Sequence, residues 1–95
     1  MMELIITDHA RFEARRRRID LEIVLSIIKN PQQKIPSRKG RTVFQSKYYD
    51  NIENREMLLR AIVEQIGDII KVISIYKTSK IDKYWTKGDE DESHL

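Results

Sequence analysis

Two apolar runs in the second half of the chain, separated by a glycine and an aspartate, constrain the fold most strongly. The run Met57–Ile66 is apolar, and the run Ile69–Lys77 is rich in β-branched and aromatic side chains, which favour strands. A two-residue Gly67-Asp68 loop between two apolar runs predicts a β-hairpin. The hairpin places Glu64 opposite Lys71, a favourable cross-strand pair that supports this register.

The same register predicts what each face of the hairpin carries. Ile66 should face Ile69, Ile62 should face Ile73, and Arg60 should face Ile75. One face is then apolar and is the predicted core face, consisting of Met57, Leu59, Ala61, Val63, Ile70, Val72 and Tyr76. The opposite face carries charged side chains among isoleucines, namely Arg60, Glu64, Lys71 and Lys77. Such a face is either functional or simply solvent-facing.

Two helices are predicted before the hairpin. The first runs from about Asp8 to Arg18, with Thr7 or Asp8 as its N-cap. The second follows Asp20 and ends at Asn30-Pro31, because a residue that precedes proline resists the helical region. Its apolar residues, Leu21, Val24, Leu25 and Ile28, have the spacing of an amphipathic helix that faces a core.

The remaining segments complete a single predicted domain. Gln32–Gly40 is a loop or a weak edge strand, Arg41–Tyr49 is a strand, and Asp50–Arg55 is a turn. Ser79 and Asp82 have the spacing of a capping box, which predicts a short helix beginning near Ser79. Residues 1–86 form one domain, and residues 87–95 form an acidic, frayed tail that contains His94.

The charge is unevenly distributed over the 95 residues. The whole chain has 18 Lys+Arg and 15 Asp+Glu. The tail holds one lysine and four acidic residues, so residues 1–86 carry 17 basic and 11 acidic residues, a net charge of +6. A basic body suits a polyanion such as nucleic acid. A generic solvated surface accounts for the same charges.

Several classes of protein are disfavoured. The chain has no cysteine, so it can form neither a disulfide framework nor a thiolate metal site. No apolar run approaches the ~20 residues of a membrane-spanning helix, and the N-terminus lacks the pattern of a signal peptide. We therefore expect a cytoplasmic protein with no membrane partner, no metal and no cofactor.

Two stretches resemble one protein family. The segment Thr7–Ala10, followed by Arg17 and Ile19, resembles its N-terminal pattern, and Val72–Trp85, with the sequence VISIYKTSKIDKYW, resembles its C-terminal signature. The family is domain-of-unknown-function family 4258, which is similar to RelE- and BrnT-type toxins of the barnase–colicin–RelE ribonuclease group. The chain departs from the family in having Glu13 in place of an arginine and Arg18 in place of a glycine.

The resemblance implies both a fold and an activity. The implied fold is α+β and RelE-like, with two N-terminal helices packed on a small antiparallel β-sheet and a short C-terminal helix. The implied activity is RNA cleavage or, in degenerate members, binding of RNA or of an antitoxin. The partners would be RNA, free or as ribosome-bound mRNA, and a small antitoxin protein. A homo-oligomer is compatible with the sequence.

Metal-independent RNA cleavage needs a base, an acid and cations that stabilise the phosphorane. The candidate catalytic residues are His9, Arg17, Lys80 and Tyr84. The candidate RNA-binding residues are Arg15, Arg16, Arg60, Lys71, Lys77, Thr78 and Ser79. Each has a structural alternative: packing or capping for His9, a pair with Glu13 for Arg17, solvation for the lysines, and helix capping for Thr78 or Ser79.

Two functions therefore stay open. The first is a small metal-independent endoribonuclease that acts as the toxin of a toxin–antitoxin system and cleaves RNA by general acid–base chemistry. The second is a non-catalytic RNA- or antitoxin-binding module on the same fold. The departures at Glu13 and Arg18 motivate the second.

Overall fold

A five-stranded mixed sheet forms the centre of the computed structural model, which describes residues 3–87. The strands lie in the order β1-β5-β4-β3-β2; β1 is parallel to β5, and the other neighbours are antiparallel. The elements in chain order are β1 (Glu3–Ile6), α1 (Asp8–Arg16), α2 (Leu21–Lys29), β2 (Gln33–Pro36), β3 (Arg41–Asp50), β4 (Arg55–Ile66), β5 (Ile69–Thr78) and α3 (Ile81–Tyr84). A single 3-10 turn, Arg38–Gly40, precedes β3.

The predicted arrangement, two N-terminal helices on a small antiparallel sheet, was wrong. The chain is an α+β protein, but a strand precedes the helices, and that strand makes the sheet mixed. The four-residue β1 pairs with β5, where the backbone N–H of Glu3 donates to Asp68 O at 2.8 Å. A run this short carries no periodicity of its own. Its pairing with the distant β5 is a tertiary effect that local sequence does not show.

The predicted N-caps of the two helices are confirmed. The Thr7 hydroxyl accepts a hydrogen bond from the backbone N–H of Ala10 at 3.1 Å. The Asp20 carboxylate accepts one from the N–H of Glu22 at 2.9 Å. Each bond satisfies a donor that has no partner within its helix. The helices pack on one face of the sheet and bury Ala10, Ala14, Val24, Ile27 and Ile28.

The end of α1 holds a non-glycine residue in the left-handed region. Arg18 has φ 57°, its N–H donates to Arg15 O at 3.2 Å, and the N–H of Ile19 donates to Ala14 O at 2.7 Å. These are the two hydrogen bonds of a Schellman motif, in which glycine is usual at the left-handed position. The buried Ile19 then directs the chain toward α2. Arg18 therefore lies at a position where a side chain other than that of glycine costs conformational energy.

The hairpin register is confirmed near the turn and wrong further from it. Ile66 pairs with Ile69 and Glu64 with Lys71, as expected. A β-bulge at Ile73 then shifts the pairing, so that Ile62 pairs with Ser74 and Arg60 with Tyr76. An extra residue in one strand reverses the alternation of every side chain beyond it.

The bulge moves Ile75, Tyr76 and Lys77 to the opposite faces of β5. Ile75 joins the core, and Lys77, which pairs with the buried Leu59, lies on the same side. We call this side, which α1 and α2 cover, the helix face. Tyr76 lies instead with Arg60 on the opposite side, the open face. The assignments of Tyr76 to the core face and of Lys77 to the other face were therefore wrong.

Apart from Lys87, the predicted acidic tail lies outside the described residues, and so does His94. Within residues 3–87, no helix is long and apolar enough to cross a membrane.

Replacing Arg18 with glycine should stabilise the protein. Glycine adopts φ 57° without a steric penalty, and this gain of ~1–2 kcal/mol exceeds the ~0.5–1 kcal/mol that its greater freedom in the unfolded chain costs. We expect Arg18→Gly to raise the free energy of unfolding by about 0.5–1 kcal/mol in urea denaturation. Arg15→Gly, an exposed position inside α1, is the matched control and should lower it by about 1 kcal/mol. Destabilisation by both changes would contradict the strain at Arg18.

Candidate nucleic-acid interface

Arg60 is the centre of a cluster on the open face. Its Nε donates to Gln45 Oε1 at 2.8 Å, and one Nη donates to the hydroxyl of Tyr76. Its Cζ lies 4.3 Å from the ring centroid of Tyr84 and 5.6 Å from that of Tyr76. The two rings meet edge to face, with centroids 6.3 Å apart. We call Arg60, Gln45, Tyr76 and Tyr84 the arginine cluster.

A pair of glutamines fixes the helix that supplies Tyr84. Gln45 is fully buried, and its Nε2 donates to Gln33 Oε1 at 2.7 Å and to the backbone oxygen of Tyr84 at 3.1 Å. Gln33 in turn donates to Thr86 O at 2.6 Å and accepts from Thr86 N–H at 3.1 Å. Because a buried amide is costly unless it is bonded, this network holds α3 on the sheet and Tyr84 over Arg60.

The guanidinium of Arg60 has no anionic partner within residues 3–87. No described carboxylate lies within ion-pair distance, and only its Nε and one Nη donate to protein groups. Arginine has five N–H donors, so donors remain for another acceptor. The side chain is half-buried between two rings, where a cation is less well solvated. This geometry suits a phosphate or carboxylate oxygen, which a guanidinium binds with a fork of hydrogen bonds.

A second charged group, Asp50 with Lys77, is buried on the helix face. Lys77 Nζ lies 2.8 Å from Asp50 Oδ2, and these side chains are 8% and 5% exposed. Asp50 also accepts hydrogen bonds from the Tyr48 hydroxyl at 2.8 Å and from the backbone N–H groups of Ile52 and Glu53 at 2.9 Å. Lys77 was predicted to bind RNA, but its ammonium forms an ion pair with Asp50 in the protein interior.

Opposing effects act on the pKa of Asp50. Burial alone would raise it, but the hydrogen bond from Lys77, with those from Glu53, Tyr48 and Ile52, outweighs burial and holds the pKa well below its usual range. Burial, together with the bond to Asp50, raises the pKa of the Tyr48 hydroxyl. Asp50 is therefore ionised in the folded protein and fixes the turn that joins β3 to β4.

The arginine run at the end of α1 is partly neutralised. Arg17 Nε lies 2.9 Å and Arg16 Nη2 3.1 Å from the same carboxylate oxygen of Glu13. Arg17 first, and then Arg16, lower the pKa of Glu13. The alternative noted for Arg17, a pair with Glu13, is therefore present. Arg15 is exposed on the same helix.

The predicted catalytic residues do not form one site. His9 lies in α1 and Arg17 is the C-cap of that helix, on the helix face, whereas Tyr84 lies against Arg60 on the open face. Leu59 and Ala61, on either side of Arg60 in β4, are in the core with the alanines of α1, so Arg60 points the other way. His9 is exposed, and its side chain makes no hydrogen bond or ion pair with any described residue.

The other candidates surround α3 or lie along the sheet. Lys71 is opposite Glu64 on the open face, and Lys80 is exposed immediately before α3. The predicted capping box at Ser79 was wrong, because α3 begins at Ile81 without a side-chain cap. The hydroxyl of Thr78 accepts from the N–H of Lys80 at 3.0 Å instead, and Ser79 is exposed.

Sequence reasoning missed the polar residues that organise both clusters. Gln45 and Gln33 hold α3 against the open face. Asp50, which accepts a hydrogen bond from the Tyr48 hydroxyl, pairs with the buried ammonium of Lys77 on the helix face. Gln45 lies inside a predicted strand, where a lone glutamine does not reveal that it is completely buried. Asp50 did give a signal, because an aspartate at the start of a turn often accepts hydrogen bonds from the following N–H groups.

Comparison with protein-family models, with curated proteins and with solved structures found no match to this chain. The resemblance to family 4258 therefore stays a prediction. Among residues 3–87, no group of three His, Cys, Asp or Glu side chains is arranged to hold a metal ion.

Asp50→Asn should destabilise the protein in a pH-dependent way. It leaves Lys77 buried without its counter-ion, so the free energy of unfolding at neutral pH should fall by about 3 kcal/mol. The folded pKa of Asp50 lies below its ordinary value of 3.8, so its stabilisation is complete above that pH and is lost as the pH falls through the folded pKa. The stabilities of the two proteins should therefore converge in acid.

Glu53→Gln is the control for the buried pair. Its carboxylate lies 3.9 Å from Lys77 and is 47% exposed, so the change should cost less than about 0.5 kcal/mol. Urea denaturation at neutral and acidic pH measures all three proteins. A stability gap between wild type and Asp50→Asn that stays constant down to low pH would contradict the role given to Asp50.

Proposed function

We propose that the protein binds RNA through the arginine cluster. The observation that carries this proposal is the half-buried guanidinium of Arg60, which has two tyrosine rings beside it and no carboxylate partner within residues 3–87. A phosphate oxygen would satisfy its remaining donors. Proteins that bind unpaired RNA combine such cations with planar groups on which bases stack, including guanidinium planes.

The surroundings of the cluster support a polyanionic ligand. Lys83 Nζ lies 5.2 Å from the ring centroid of Tyr84, and Lys47 Nζ lies 4.1 Å from that of Trp85. These ammonium groups extend the positive charge along the open face from Arg60. The net charge of +6 on residues 1–86 acts in the same direction. The proposal places the protein in the cytoplasm, as the sequence also indicates.

RNA cleavage is the second candidate function. The hydrogen bond from Arg60 to the Tyr76 hydroxyl, with Tyr84 alongside, favours it, because a cation and hydroxyl groups meet at one point. The guanidinium would stabilise the negative charge on the phosphorane as the 2′-oxygen attacks phosphorus, and a tyrosine hydroxyl would relay the proton of that 2′-hydroxyl to the 5′-oxygen that leaves. His9 takes no part in this version, since it lies on the helix face. The role of toxin in a toxin–antitoxin pair stays a prediction.

Arg60→Gln should weaken RNA binding roughly tenfold or more, because it removes the cation at the centre of the cluster. Fluorescence anisotropy with a labelled single-stranded RNA over a range of salt concentrations measures this effect. The dependence of affinity on salt should also become shallower, since fewer counterions are displaced.

Arg11→Gln is the matched control for this experiment. It removes the same charge from an exposed position on α1, away from the open face. Its affinity for RNA should stay within about twofold of wild type. Equal losses in the two variants would mean that net charge alone binds RNA, and the cluster would lose its assigned role.

If the protein cleaves RNA, Tyr76→Phe should slow cleavage by about 10²–10⁴-fold, and His9→Ala should leave it unchanged. A single-turnover assay on a labelled RNA in EDTA measures both variants, with circular dichroism as a check of folding. Loss of cleavage in a folded His9→Ala protein would transfer the chemistry to α1. A wild type that binds RNA without cleaving it would identify the protein as a binding module.

A further inference from the structure

An apolar surface covers the half of the open face that α3 leaves free. It is built from alternate residues of all five strands, which the pleat directs to the same side. We call it the isoleucine surface, and its members are Ile5, Ile35, Ile62, Ile66 and Ile69, with the buried Val43 between Ile35 and Ile62. Ile66 is 56% exposed and Ile5 37%. Exposed apolar side chains that lie close together mark interaction sites more often than isolated ones do.

The helices of the described chain leave this surface uncovered. α1 and α2 pack on the helix face, and α3 with the residues after it contacts Arg60, Gln45 and Gln33 at the other end of the open face. A sheet normally buries an apolar face against another layer. The isoleucine surface is therefore a layer without a partner among residues 3–87.

A row of charges crosses the isoleucine surface and limits what can cover it. Lys71, Glu64 and Arg41 are neighbours on β5, β4 and β3, so positive, negative and positive charges alternate. Arg41 Nε lies 3.7 Å from Glu64 Oε2, and it is buried without a hydrogen-bond partner among the described residues. A lipid surface would have to remove these three charges from water, and RNA would gain nothing from the isoleucines.

We propose that the isoleucine surface binds a second copy of this chain. The row is self-complementary, because Glu64 of one copy can lie against a lysine or an arginine of the other, and the reverse also holds. The isoleucines on both sides of the row would pack against their equivalents. Two sheets that pack in this way form a layered core ~10 Å thick.

The area of the isoleucine surface limits how much surface two copies can bury against each other. With strands ~4.8 Å apart and ~3.4 Å per residue, five strands over about five residues cover roughly 400 Å² in each copy. Two copies then bury roughly 800 Å², which is below the ~1,200–2,000 Å² of stable specific interfaces and in the range of weak, transient ones. We therefore expect a weak dimer that forms as the protein concentration rises.

Two equally exposed isoleucines provide a matched test. Ile66 belongs to the isoleucine surface, whereas Ile52, which is 55% exposed, lies in the turn between β3 and β4. Sedimentation velocity at low and high concentration should show a dimer at high concentration for wild type and for Ile52→Lys. Ile66→Lys should remain a monomer throughout, and circular dichroism should show that both variants are folded.

Methyl NMR on a mixture of labelled and unlabelled protein locates the contact independently of any variant. Intermolecular NOEs should join the methyl groups of Ile5, Ile62 and Ile66 to the other copy. A wild type that stays monomeric at every concentration would overturn the proposal and leave the surface to a different protein. A dimer that Ile52→Lys disrupts as strongly as Ile66→Lys would overturn it as well.

Discussion

The extra residue at Ile73 decides which side chains meet on each face of the sheet. Without the bulge, Tyr76 would lie in the core, and Lys77 would lie on the open face beside Arg60. With it, the Tyr76 hydroxyl accepts a hydrogen bond from Arg60, and Lys77 reaches the buried Asp50. Bulges are common next to functional sites because they redirect a side chain without ending the strand. Both charged clusters therefore depend on one local change in pairing.

The two faces of the sheet then take different roles. On the helix face, Asp50 and Lys77 are almost fully buried and satisfy each other, so they contribute to stability and fix the turn after β3. On the open face, Arg60 is satisfied only in part, by Gln45 and by the hydroxyl of Tyr76. A charge that the fold leaves without a counter-ion is a better candidate for binding than one the fold has neutralised. For this reason Arg60 replaces the arginines of α1 as the centre of the proposed site.

The local signals in the sequence predicted elements well and long-range pairing poorly. The caps at Thr7 and Asp20, the end of α2 at Asn30-Pro31 and the turn at Gly67-Asp68 depend on neighbouring residues, and the structure confirms them. The pairing of β1 with β5 depends on tertiary contacts that a four-residue run does not encode. The bulge has no signature in VISIYKT, because both sets of alternate residues contain apolar side chains. Either set could therefore face the core. The burial of Gln45 depends likewise on Gln33 and Tyr84, which lie far from it in sequence.

The central claim is that RNA contacts the open face at Arg60, and chemical-shift mapping during an RNA titration tests it most directly. Backbone and side-chain signals of a labelled protein would be followed as a single-stranded RNA is added. The largest changes should occur at the Arg60 Nε–H group, the side-chain amide of Gln45 and the rings of Tyr76 and Tyr84. Changes confined to Arg15, Arg16 and Arg17 on α1, with the arginine cluster unaffected, would contradict the account.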